Sequence, residues 1–251
     1  MSTPAIGATG TEQRPLSELE RVVNVFVAPS KTFEDIKRNA NWLVPFLIMV
    51  LLSAAYAFSI QKKITFETAA ENQIKLAPPS QQDQLNSLPA DQKESRMRIS
   101  TAVTKYISYG FPVLALIFTA IFTGIYLLVM NFGLGAQLRF GQLFSAMMYA
   151  GLVRGIMTLL AIIGIWSFID PADFNIQMPL ATSPGALFAP LEHPFLFRAG
   201  AIFDVFAVWS TILAGIAMSV LSGKKRSTCI VIAFAVLIGF GLLFALPSLR
   251  W

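Results

Sequence analysis

Residues 25–52 read VFVAPSKTFEDIKRNANWLVPFLIMVLL. A charged segment that begins at a proline runs without a linker into an unbroken apolar stretch, and this junction decides the fold class. A bilayer-spanning helix needs about 20 predominantly apolar residues. The run over 43–60 is the first of five such stretches, followed by 111–132, 143–169, 199–221 and 229–246. Each is too long for a buried strand. In hydrocarbon, a helix satisfies its own backbone hydrogen bonds where an open strand cannot.

Composition points the same way. The 251-residue chain is 55% hydrophobic and 13% charged, against about 25% charged residues in soluble domains, and its mean hydropathy is +0.63. The predicted class is all-α: a polytopic membrane helical bundle of five transmembrane helices, with short N-terminal interfacial helices and an extramembrane helical hairpin. Residues 1–15 read as a disordered N-terminus, 16–42 as cytoplasmic amphipathic helices, 43–246 as the transmembrane domain and 247–251 as a tail. The first forty residues hold no continuous apolar core of the secretory type, so the first span is expected to serve as the targeting signal.

Upstream of Pro29, the residues Leu16, Leu19, Val22, Val23 and Phe26 follow the i, i+3, i+4 spacing of an amphipathic helix. Thr32 and Asp35 supply an [ST]-x-x-[DE] start for a second short helix. Phe33 and Ile36 share one face of it, Lys31, Lys37 and Arg38 add positive charge, and Trp42 stands where an interfacial aromatic belongs. The expectation is a surface made of Lys31, Phe33, Lys37, Arg38 and Trp42 together with Lys224, Lys225 and Arg226 of "SGKKRST". Such a surface suits a lipid bilayer with anionic headgroups, or other membrane and peripheral proteins. A plain positive-inside anchor explains the same cations, and both readings can hold together.

The loops bearing Arg139 and Lys224–Arg226 point to the cytoplasmic side, with the N-terminus beside them. The loop over 61–109 weighs against that orientation, because it also carries Lys62, Lys63, Arg96 and Arg98. Its "PPS" separates two helical pieces, the second of which is expected to run into the second span. The segment before the fourth run holds Pro171, Pro179, Pro184, Pro190 and Pro194 and should be irregular.

Arg154 falls near the middle of the third run and Asp204 about one turn inside the fourth. Ionisable residues within spans are costly, by about 2.5–3.5 kcal/mol on insertion scales, and are functional candidates by default. Sequence-adjacent spans run antiparallel, so a long arginine could reach the aspartate. Gly151, Gly155 and Thr158 fall on the same side of the third helix as Arg154, and Thr211 and Gly215 on the same side of the fourth as Asp204. These small faces suit close helix packing. An ion pair in a helix seam is the favoured reading, and a substrate or ion path is the alternative.

No catalytic, cofactor-binding or metal-ligating set is expected. Cys229 is the only cysteine and His193 the only histidine. The sequence holds no H-E-x-x-H, G-x-S-x-G, P-loop or dinucleotide fingerprint. The net charge of +5 is scattered between apolar runs rather than gathered in a basic arm, so nucleic acid is not expected as a partner. The sequence leaves the oligomeric state open.

"VFVAPSKTFEDIKRNANWLVPFLI" resembles the approach to the first span in the Yip-type (Ypt/Rab-interacting-protein-like) integral membrane family, especially its bacterial branch. "LRFGQLFSAMMYAGL", with Tyr149 at the family's recurring tyrosine, and "AIFDVFAVWSTILAGIAMSVLSGKKRSTCIVI" are similar to later family segments. The chain reads YAGLVRG where many members place a proline, and it lacks the eukaryotic Asp-Leu-x-Gly-Pro signature. The resemblance implies an architecture of five spans. With the cations Lys31, Lys37, Arg38 and Lys224–Arg226 on one side, the expected function is a non-catalytic membrane adaptor or organiser; the missing eukaryotic signature points to a bacterial cytoplasmic membrane, and the loop charges to a cytoplasmic N-terminus. The alternative is a small transporter or channel subunit using Arg154 and Asp204.

Overall fold

A computed structural model describes residues 14–250, and for Arg250 the backbone only. Of the N-terminus expected to be disordered over 1–15, residues 1–13 lie outside the described residues, as does Trp251 at the end of the expected tail. No strand occurs among the described residues.

Two short helices come first, α1 (Glu18–Val27) and α2 (Pro29–Ile36). Ser17 starts α1 with a capping box: its hydroxyl accepts from the Glu20 N–H, and the Glu20 carboxylate accepts from the Ser17 N–H. Pro29 ends one helix and opens the next, since its fixed φ and missing N–H suit a first helical position. The first span, α3 (Leu43–Ser59), continues through a π turn over Ile60–Ile64. Then come α4 (Phe66–Lys75) and α5 (Pro79–Asn86). Next is α6 (Ala90–Leu127), a 38-residue helix that carries the second extramembrane piece straight into the second span. The third span is α7 (Phe140–Ser167). A short α8 (Pro194–Ala201) precedes α9 (Val205–Ser222) and α10 (Arg226–Ala245). Five of these helices are long and apolar enough to cross a membrane, and the chain is a multi-pass membrane protein.

The helix α7 organises the bundle, packing on α3, α6 and α9, while α10 packs on α9. The main core gathers Leu143, Tyr149 and Val153 of α7, Leu213 and Met218 of α9, and Val25, Phe33 and Ile36 of the N-terminal helices. In α9 and α10 the backbones come close at Gly215. A Cβ there would lie 2.6 Å from the Ile230 Cα, so only glycine fits. The turn after α9 is closed by Gly223 in the left-handed conformation, φ +72°, the usual helix stop. Between the second and third spans, the Asn131 carboxamide closes the loop by accepting from the Leu138 N–H at 2.9 Å and donating to the Leu138 carbonyl at 3.1 Å.

The chain thereby divides its extramembrane parts between two ends. Near one end α1 and α2 sit beside the 134–139 and 223–225 loops: Gln142 donates to the Lys37 carbonyl at 2.9 Å, and Arg226 donates to the Ser30 hydroxyl at 3.1 Å. At the other end α4 and α5 form a layer with residues 170–201. A second apolar cluster, with Ala57, Ile60, Phe66, Ile165 and Phe174, seals that layer to α3 and α7.

Candidate functional site: a buried charge network under the N-terminal helices

In α1, Glu18 and Arg21 stand three residues apart and share a face. In α2, Asp35 lies on the face that also carries Thr32. When the two helices fold back on each other these groups meet. Arg21 is 1% exposed and Asp35 2%, values almost never seen for these residue types unless they are paired.

The pairing is dense. Arg21 Nε donates to Asp35 Oδ2 at 2.7 Å, and Nη2 reaches the same oxygen at 2.6 Å. Arg21 Nη1 contacts Glu18 Oε1 at 3.3 Å. The other Asp35 oxygen accepts from the Leu16 N–H at 3.3 Å and from Arg38 at 3.4 Å. The Thr32 hydroxyl donates to the Arg21 carbonyl at 3.1 Å. Glu18 is the outward link: Oε1 accepts from Asn41 at 2.9 Å, and Oε2 accepts from the Tyr149 hydroxyl. Tyr149 lies nine residues into α7, about 14 Å along its axis at 1.5 Å per residue. The network therefore ties both short helices to the flank of a spanning helix. On the α9 side, Phe26 meets Trp209 edge to face, with ring centroids 6.1 Å apart.

Burial alone would pull the Arg21 pKa down. Hydrogen bonds to Asp35 and Tyr149, with the charges of Asp35 and Glu18, outweigh it and raise the pKa above the ordinary guanidinium value. Arg21 thus stays charged at every accessible pH. Two cations, Arg21 and Arg38, face two carboxylates, Glu18 and Asp35, so the cluster is formally neutral. Its chemistry is that of a clasp, with the buried Arg21 guanidinium turned to carboxylates inside the protein.

The structure distributes the sequence-predicted residues differently from expectation. Phe33 is 0% exposed and packs in the main core, so it is not part of a lipid-facing surface. Periodicity identified an apolar face on α2, but α7 and α9 cover that face. On α1 the stripe turned away from the bundle is Leu19, Val23 and Val27. Lys31, Lys37, Arg38, Lys225 and Arg226 are exposed and Lys224 is half-buried. Trp42 is half-buried between Phe46 and Phe144, at 5.8 and 5.7 Å between centroids.

Arg154 and Asp204 do not form the expected ion pair within 4 Å; the ion pairs among the described residues lie elsewhere. The spanning part of the fourth helix starts at Val205, and the 199–204 stretch belongs to α8 and a turn. Asp204 is therefore the N-cap of α9, not a residue inside it. Its Oδ1 accepts from the N–H groups of Phe206 and Ala207 at 3.0 and 3.1 Å, and its Oδ2 accepts from the Thr182 hydroxyl. Arg154 is exposed on the surface of α7. The small residues of the two helices do not face one another either. A Cβ on Gly155 would meet Leu52 of α3, Gly215 faces α10, and Gly151 has open space beside it. Thr158 and Thr211 donate to carbonyls one turn back in their own helices.

Sequence reasoning missed Arg21, Glu18 and Asn41, and read Asp35 only as a helix-start residue. The signal was weak: the i, i+3 pair Glu18–Arg21 falls on the side of α1 away from the Leu16, Leu19, Val22, Val23 and Phe26 stripe, where charges ordinarily read as solvent-facing.

Among known families, the model described as the Yip1 domain matches residues 23–246. No curated protein and no solved structure matched significantly. The matched segment begins inside α1 and ends at the close of α10, so it takes in Arg21's partner Asp35, Tyr149 and all five spans.

Proposed function

The chain belongs to the Yip1 domain family, and from that premise we propose that it is a non-catalytic membrane adaptor, working through the face that its N-terminal helices present. The carrying observation is the buried Arg21–Asp35–Glu18–Tyr149 network. It holds α1 and α2 in one fixed pose on α7 and α9, although neither helix is long enough to be stable alone. Fixing that pose sets the exposed cations Lys31, Lys37, Lys225 and Arg226 at one end of the bundle, beside the outward stripe of Leu19, Val23 and Val27. A basic rim beside an apolar stripe is the chemistry that meets an anionic bilayer surface or an acidic partner protein. The proposed setting is a bacterial cytoplasmic membrane, with this end in the cytoplasm.

The transporter reading relied on Asp204 being available to a permeating species. Its carboxylate holds three hydrogen bonds that fix the start of α9, which supports a structural role. The adaptor reading is tested by neutralising Lys31, Lys37, Lys225 and Arg226 to glutamine in the full-length protein. Crosslinking in native membranes should then lose partner proteins and anionic-lipid contacts while the five spans stay folded. Unchanged crosslinks would refute it.

A further inference from the structure

In a helix, residues two and three full turns apart point the same way. Leu143, Met147, Ala161 and Ile165 stand in that relation to Arg154 on α7, and they are buried, at 0%, 8%, 1% and 4% exposure. The exposed apolar residues Leu159 and Ile163 fall on the opposite side of the helix, where lipid is. Arg154 therefore faces the interior of the bundle, yet it is itself exposed. Its surroundings are a gap in the packing. Gly151, one turn earlier, has open space where a Cβ would stand.

This gap is deep and carries a cation. Arg154 is about 20 Å from either end of α7 at 1.5 Å per residue, too far for its side chain to reach a surface. Among the described residues its guanidinium makes no hydrogen bond and no ion pair. Two groups lie within electrostatic range, Asp204 and Tyr126. The Asp204 carboxylate is spent on two backbone N–H groups and the Thr182 hydroxyl. Tyr126 of α6 is 6% exposed. Its hydroxyl makes no hydrogen bond among the described residues and, unlike those of Tyr56 and Ser145, is not sealed off. Two strong donors thus lie near each other at mid-depth with no acceptor from the protein.

We propose that Arg154 and Tyr126 bind the carboxylate of a fatty acid. A carboxylate accepts two parallel hydrogen bonds from a guanidinium and keeps lone pairs for the phenol. The negative charge of Asp204 opposes a doubly charged group such as a phosphate monoester, so a singly charged oxyanion fits. The walls around the donors are apolar. Met147, Ala161 and Ile165 share the Arg154 face, and Phe122, one turn from Tyr126, meets Phe240 of α10 with ring centroids 4.7 Å apart. Such walls suit an alkyl tail and give the polar body of a soluble acid no partner. The tail also supplies the route, because a fatty acid already lies in the bilayer. The site is separate from the basic rim, and the adaptor reading stands or falls by its own test.

The test uses full-length protein in phosphatidylcholine nanodiscs with deuterated palmitate, at a mildly alkaline pH that keeps the acid ionised. Native mass spectrometry counts the retained molecules. Palmitate should be retained, whereas methyl palmitate, which has the same tail without the charge, should not. Arg154→Gln removes a charge that hydrocarbon disfavours. It should melt no lower than wild type and lose at least tenfold in palmitate retention. Tyr126→Phe keeps the packed ring and should lose about tenfold through the hydroxyl alone. Palmitate should raise the melting temperature of wild type and leave that of Arg154→Gln unchanged. Equal retention by wild type and both variants, equal retention of palmitate and its methyl ester, or displacement of palmitate by an equal concentration of acetate would overturn the proposal.

Discussion

Extramembrane helices dock onto the bundle at two places, and the two docks use different chemistry. At one, α1 and α2 are clasped by a formally neutral set of four charges with the buried Arg21–Asp35 pair at its centre. At the other, α4 is stitched to the 171–174 turn by the uncharged amide of Asn72, over an apolar cluster. Both solve the same problem, which is to satisfy backbone and side-chain polar groups away from water. They differ in what failure costs. A buried ion pair is weak evidence for net stability, because desolvation offsets most of its attraction, but removing one partner is severe. An amide clamp gains less and loses less. The charged dock is therefore the more all-or-none of the two, which suits a surface that must hold one pose.

The sharpest way to break the comparison is Asp35→Ala. It leaves Arg21 buried without its main partner, at a cost of about 3–5 kcal/mol. Hydrogen exchange should accelerate throughout residues 18–36 while α4 and the spans stay protected. The double variant Arg21→Met/Asp35→Leu should recover most of the protection, since an apolar pair of similar volume is close to neutral. If Asp35→Ala leaves α1 and α2 protected, the clasp is not what holds them.

Next in size is Tyr149→Phe, which removes only the donor to Glu18. A hydrogen bond to a charged group is worth about 1.5–3 kcal/mol, and Glu18 keeps Asn41 and Arg21. Exchange should rise most at the start of α1 and least in α2. At the opposite dock, Asn72→Ala frees the carbonyls of Pro171 and Phe174 and should cost about 1–3 kcal/mol. It should loosen α4 and the 170–175 turn without touching α1. Protection lost at both ends in either variant would mean that the docks are coupled through α7 rather than separate.

The two docks were unequally legible in the sequence. The five spans follow from hydropathy, because hydrocarbon imposes one solution on each long apolar run. The run of α6 from Ala90 into the membrane was also readable, although the short α5 and Pro89 lie between "PPS" and its start. The partners were not. Arg21 and Asp35 are 14 residues apart, Glu18 and Tyr149 are 131 apart, and Asn72 and Phe174 are 102 apart. No local period encodes such meetings. Phe33 shows the limit from the other side: spacing gives a helix its apolar face but does not say whether lipid or protein covers it. Asp204 was misplaced because an apolar count cannot see a helix start. An aspartate directly before a long apolar helix is the N-cap signature that would have located it.

The smallest predicted effect tests the charged dock at its exposed edge. The Glu20 carboxylate accepts from the Ser17 N–H at 2.7 Å and from Arg14 at 2.6 Å. The backbone hydrogen bond from Ser17 leads the causes that lower its pKa below the ordinary 4.5. A depressed carboxylate pKa contributes to folding above the unfolded value and loses that contribution as pH falls through the folded one. The capping box should therefore hold from neutral pH down to about 4.5 and open below it. The Ser17 amide resonance would report this, shifting with a midpoint under 4.5. In Glu20→Gln the Ser17 titration should vanish. A midpoint at or above 4.5 would mean that the carboxylate gains nothing from the cap, and that α1 is held by its buried face alone.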